Sequence, residues 1–132
     1  MSQENVEIVR RMYEQANERP GALYEMLAED VFWDATAVGQ LEGSIVHGRD
    51  AVMEFFRRWV GAFEPWGYEV EELIDGGDCV IARIHQWGRG KSSGVEVDGR
   101  FWQVWTFRDR KAIRATHHRE KADALKAAGL SE

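Results

Sequence analysis

The sequence predicts an α+β domain in which a curved antiparallel sheet packs against one long helix, and three observations carry that expectation. From Arg49 or Asp50 onward, Val52, Phe55, Phe56, Trp59, Val60 and Phe63 recur at helical spacing, while Glu54, Arg57 and Arg58 face away. From Tyr68 to His118 the chain reads as strands separated by turns. Within it, Gly94 to Arg108 alternates in a strand's two-residue period: Phe101, Gln103, Trp105 and Phe107 share one face, and Trp102, Val104 and Thr106 the other. Large residues on both faces require packing on both sides. A single Gln103 within an aromatic row indicates a lined pocket.

The remaining elements follow in order. Ser2 can cap a first helix carrying Val6, Val9, Met12, Tyr13 and Ala16, which ends near Asn17 to Arg19. Pro20 starts a second helix, with Leu23, Met26 and Leu27 on its apolar face before Glu29 and Asp30. Val31 to Val38 is β-branched and aromatic enough for a strand, and Gly39 to Gly48 reads as a loop containing a solvated His47. The long helix stops before Pro65. Tyr68 to Ile74 and Cys79 to Trp87 form strands around the DGGD turn at Asp75 to Asp78, and GRGKSSG from Gly88 to Gly94 forms a loop. Asp109-Arg110 turns the chain into a last strand, Lys111 to His118, and Glu120 to Ala128 is a helix closed by Gly129 with Leu130 as its apolar contact. Asp98-Gly99 fits a hairpin or a bulge. The bulge is preferred, because a strand this long curls around a pocket only where something bends it.

Composition narrows the function. At 132 residues the chain is a single domain, 1–132, large enough for one core. Six Trp and six Phe serve either a bulky core or a pocket wall. A net charge of −6 with scattered basic residues disfavours nucleic acid and anionic membrane as partners, since both require a basic footprint. No signal-like N-terminal run and no membrane-length apolar window is present in this sequence, and the lone Cys79 suits a small core residue in a reducing, cytoplasmic setting.

Helix, short helix, strand, long helix and curved meander resembles the nuclear transport factor 2-like fold, and its SnoaL-like branch most of all, which includes polyketide cyclases and is related to ketosteroid isomerase. The phrases NVEIVRRMYEQAN, LAEDVFWD, HGRDAVMEFFRRW, VWTFRDRKAIR and ADALKAAGL carry the resemblance nearly end to end. It implies a cone whose open end holds a hydrophobic ligand, and a homodimer formed through the outer sheet face. Either Val80, Ala82 and Ile84 or Ile81, Arg83, His85 and Trp87 would be the outward set.

Carried over by phrase, the isomerase's tyrosine falls on Met12, its carboxylate base on Ala35 and its second carboxyl on Gln103, none of which does that acid-base work. Tyr13 and Asp34 each stand one residue away, where a strand would turn the side chain to the opposite face. The candidate acid-base groups are therefore Asp34 and a histidine. His117 and His118 point to opposite faces, and His118 is preferred because related chains often carry a tyrosine at its position. His85 fits a sheet-face interface as well as a pocket. Gln103 is the polariser, offering both a donor and an acceptor without charge.

The expected pocket is lined by Tyr13, Trp33, Phe55, Phe56, Trp59, Phe101, Gln103 and Trp105. The expected ligand is a hydrophobic oxygenated molecule, handled without cofactor by a cyclase-, isomerase- or dehydratase-type enzyme or simply bound by a non-catalytic relative of it. GRGKS lacks the earlier glycine of a phosphate loop, with His85 in its place, and the histidines lack metal-ligand spacing, so no metal is expected.

Overall fold

The computed structural model describes residues 2–16, 18–19, 21–36 and 45–130. The expected roles of Asn17, Pro20 and residues 37–44, and of the Ser2 side chain, lie outside the described residues. The elements are α1 (Ser2–Ala16), α2 (Gly21–Met26), β1 (Leu27–Asp34), β2 (Ile45–His47), α3 (Arg49–Gly61), β3 (Phe63–Asp75), β4 (Cys79–Gly90), β5 (Glu96–Arg108), β6 (Lys111–His118) and α4 (Lys121–Ala127). The six strands form one open sheet in the order β2-β1-β6-β5-β4-β3. It is mixed rather than wholly antiparallel, because β1 lies parallel to β6.

Several expectations are corrected at the boundaries. Leu27 starts β1 instead of closing the second helix, and β1 ends at Asp34. Leu27 is fully buried and pairs with Ala112, so the tertiary contact overrides its local helical pattern. His47 belongs to a short edge strand, where it pairs with Phe32 and its ring meets the Phe32 ring edge-on. α3 ends at Gly61, and Phe63 starts β3 facing Gly90 of β4. β4 continues to Gly90, so the first three of the seven residues of the expected glycine-rich loop are strand.

The bend occurs elsewhere than expected. Pairing of β4 with β5 runs unbroken from Cys79↔Thr106 to Arg89↔Glu96, so Asp98 and Gly99 carry no bulge. The irregularities lie in the outer strand β3, between Phe63 and Trp66 and between Val70 and Glu72, in the β5–β6 pairing next to Thr106, and in the β1–β6 pairing between Leu27 and Phe32. An extra residue in one strand raises local twist and curls the sheet over its inner face.

Two clusters form on the two faces. The inner one gathers Val9, Met12, Leu27, Val31, Trp33, Val52, Val80, Trp105 and Phe107 between the sheet and helices α1 to α3. On the outer face α4 covers Cys79, Ile81, Trp102 and Val104 through Ala124 and Leu125. The Trp102 ring is further flanked by the Arg83 guanidinium at 5.6 Å and Lys121 Nζ at 5.5 Å. Both faces of the central strand are thus packed, as its composition requires. α4 closes on Gly129 at φ 77°, and the Leu130 amide donates to the Leu125 carbonyl at 2.8 Å.

Candidate functional site

The inner face does not fill completely. A cavity of about 170 Å³ remains between the sheet and helices α1 and α3. Met12, Tyr13 and Ala16 of α1, Leu23 of α2 and Phe55, Phe56 and Trp59 of α3 form its helical side. Trp33 and Ala35, Trp66 and Tyr68, Ile84 and Gln86, then Phe101, Gln103, Trp105 and His117 form the sheet side. Phe55, Phe56 and Trp59 are only half-buried, because the long helix turns its aromatic face to this space instead of to a closed core.

Of the residues singled out in the sequence, Tyr13, Trp33, Phe55, Phe56, Trp59, Phe101, Gln103 and Trp105 all border the cavity. Asp34 and His118 do not. Asp34 points the opposite way from Trp33 along β1, and its Oδ1 accepts from the Thr36 amide at 3.0 Å and the Thr36 hydroxyl at 2.7 Å. Burial pushes its carboxyl upward, but the two Thr36 bonds, with His117 and Arg114 nearby, hold it below the usual range. It is a local turn-forming carboxylate. His118 pairs with Trp102 on the outer side and lies 2.9 Å from Thr116 Oγ1.

His117 takes the inward place. It pairs with Gln103, is 4% exposed, and packs 4.7 Å from the Trp33 ring and 5.7 Å from the Phe101 ring. Its Nδ1 lies 3.0 Å from the Asp34 carbonyl oxygen, which can only accept, so Nδ1 carries the proton. Burial pushes the ring down to about 4, against the opposing pull of that carbonyl, so the imidazole is neutral at pH 7. Nε2 is then an acceptor, and Gln103 Nε2 donates to it at 2.8 Å.

The same logic orients the rest of the row. Gln103 Oε1 accepts from the Tyr13 hydroxyl, and Tyr13 in turn accepts from Trp105 Nε1 at 3.0 Å. Burial raises the Tyr13 phenol well above its ordinary value, so it remains protonated. The result is one directional chain: Trp105 N–H to Tyr13, Tyr13 O–H to Gln103, Gln103 N–H to His117, His117 N–H to the Asp34 carbonyl. Met12 also lines the wall, but the hydroxyl comes from Tyr13, because adjacent positions on a helix both reach a space this wide. A second polar station was not singled out from the sequence: Gln86 of β4, whose Oε1 accepts from Trp59 Nε1 at 3.4 Å. Its inward direction follows from alternation with Ala82 and Ile84, the one sequence feature that could have found it.

The outer face holds a separate charged group. Glu69, Glu71 and His85 lie close together, but Arg100 Nε donates to both Glu71 oxygens, at 3.0 and 3.1 Å, and Glu71 also faces Arg83. Arg100 keeps the Glu71 carboxyl below its usual range. The cluster is already balanced by cationic partners from its own sheet.

A cone of curved sheet over a long helix, with a polar row at the floor of an aromatic cavity, defines a protein of the nuclear transport factor 2-like fold. The chain belongs to the SnoaL-like domain family, whose model matches residues 9–115. Solved structures of the same fold include a nuclear transport factor 2-like protein from Burkholderia thailandensis E264, with 21% identity over 96% of this chain and 95% of that one at a TM-score of 0.78. Bal32a from a soil-derived mobile gene cassette shares 22% identity over 96% of both chains, also at 0.78. A protein from Jannaschia sp. CCS1 described as a SnoaL-like polyketide cyclase shares 18% over 98% of this chain and 94% of that one, at 0.75. None of the curated proteins matches the chain significantly.

Proposed function

We propose that the cone holds a neutral, largely apolar oxygenated compound and moves a proton on it, in chemistry of the cyclase or isomerase type. The observation that carries this is the Tyr13–Gln103–His117 row set into otherwise aromatic walls. No charged side chain lines the cavity among the described residues, so a charged ligand would lose its hydration without a counter-charge. In the proposed step the ligand carbonyl displaces Gln103 from the Tyr13 hydroxyl, the Gln103 amide swings off His117 as well and frees the Nε2 lone pair, and His117 Nε2 takes a proton from the adjacent carbon. The C–H electron pair becomes the enolate, Tyr13 donates to the oxygen that gains the charge, and His117 returns the proton to the new position.

A neutral imidazole at about 4 is a weak base but is fully ready to accept at pH 7. A base of that strength suffices where a donor steadies the enolate, as in ketosteroid isomerase, whose carboxylate base titrates at about 4.6. The polyketide-cyclase description of the Jannaschia protein supports the same class of chemistry.

One observation favours a second reading, a binding protein without turnover: the Tyr13 hydroxyl and the His117 Nε2 lone pair are both already engaged by Gln103. A thermal-shift panel of hydrophobic carbonyls, phenols and epoxides, followed by mass spectrometry of each stabilising mixture, separates the two. A stabilising compound whose mass or isomeric form changes, and which His117→Ala leaves unchanged, supports the enzyme. Stabilising compounds that all return unaltered support the binder.

A further inference from the structure

Resting on that reading of the cavity, we infer that its ligand carries two oxygen acceptors, one at each end of a flat apolar body, with Gln103 meeting one and Gln86 the other. Gln86 and Gln103 face the same cavity from neighbouring strands. Gln103 pairs with Ala82, and Gln86 stands four residues further along β4, where it pairs with Gly99. At the rise of a β-strand those stations are about 13 Å apart along the sheet. Ile84 and Phe101, which pair with each other, form the apolar floor between them.

Both amides are held in one orientation, with nitrogen left over. An indole N–H can only donate, so Trp59 fixes the Gln86 oxygen toward itself and turns the amide nitrogen away, where it has no acceptor among the described residues. As the ligand binds, ahead of the displacement that begins proton transfer, Gln103 receives Tyr13 on its oxygen and gives one N–H to His117. Its second N–H has no acceptor among the described residues either. Two oriented donors at opposite ends of an apolar floor match a molecule with a carbonyl, ether or hydroxyl oxygen at each end. A ligand with oxygen at one end only would leave the other amide facing hydrocarbon.

The test compares 4,4′-dihydroxybiphenyl, with oxygen at both ends, and 4-hydroxybiphenyl, with oxygen at one, by tryptophan-fluorescence titration of the whole chain. The two-ended compound is expected to bind roughly fivefold to tenfold more tightly. Gln86→Leu should abolish that preference, read as the ratio of the two affinities and judged against the size of one neutral hydrogen bond. Gln86→Met, which keeps the length of the side chain but removes the amide, should abolish the preference as well. Equal affinity for the two compounds in the unaltered protein, or equal weakening of both by either variant, overturns the two-ended ligand and leaves the pocket reading standing. Binding of neither compound overturns both.

Discussion

Gln103 Nε2 lies 2.8 Å from His117 Nε2, and this contact is possible only because His117 is neutral there. A protonated ring would place two donors face to face. The protonation state of a buried histidine is therefore built into the hydrogen-bond order of the whole row.

Stability should fall on acidification through this residue. The folded His117 titrates at about 4, below its ordinary 6.5, so the unfolded chain binds the proton first. Its contribution is complete above pH 6.5 and is lost progressively as pH falls toward 4, to a total of roughly 3 kcal/mol. Urea denaturation of the protein and of His117→Phe at pH 7.5, 5.5 and 4.5 checks this. The unaltered protein should lose more stability between the first and last values than the variant, and parallel curves would contradict the assignment.

Tyr13→Phe should destabilise the fold by about 1–3 kcal/mol, because Trp105 Nε1 then keeps its burial and loses its acceptor. Its effect on the proposed turnover should exceed its effect on ligand affinity, since the enolate oxygen needs the hydroxyl more than the ground-state carbonyl does. Denaturation midpoints and a kcat-against-KM comparison measure the two.

The adjacent histidines should behave oppositely. With a substrate in hand, His117→Ala should lose about 10²-fold or more of turnover, in the range of a general base. His118→Ala should remain within about twofold of the unaltered rate, because its ring belongs to the outer side beside Thr116. Steady-state kinetics with equal losses in both variants would remove the distinction.

The outer face bears on assembly. Val80, Ala82 and Ile84 turn inward, and Ile81 is buried beneath α4, so Arg83, His85 and Trp87 remain of the residues expected there. Trp87 is 37% exposed, and its ring lies 5.0 Å from the His85 ring, tilted 50° to it. We propose that a second copy covers this region, and light scattering at micromolar concentration should return twice 15.2 kDa. A mass of 15.2 kDa would discard the homodimer.

Much of this architecture was legible in the sequence because it rests on periodicity. The aromatic stripe of α3, the two-sided β5, the bounds of β6 and the Gly129 cap are local patterns, and local patterns survive without knowledge of partners. The aromatic walls follow from them, since the inward faces of α3 and β5 are the faces their spacing defines.

Which histidine enters the cavity is a different kind of fact. Arg108 pairs with Lys111 across the last turn, and continuing that pairing without interruption would set Gln103 opposite Thr116 and Phe101 opposite His118, placing His118 inside. Instead Thr106 pairs with Arg114 while Phe107 pairs with Ala112, so Ile113 is an extra residue in β6 and every later partner moves by one. Gln103 then meets His117, and His118 turns outward. A one-residue slip exchanges the faces of a strand. Nothing in the composition of β6 marks Ile113 as that residue; Ala112 and Ala115 on either side of it are both buried with Leu27 and Phe107 from distant parts of the chain, which a strand without the extra residue would not allow. The sequence determined a cone with aromatic walls and a glutamine in them; the packing of its strands decided which imidazole that glutamine would hold.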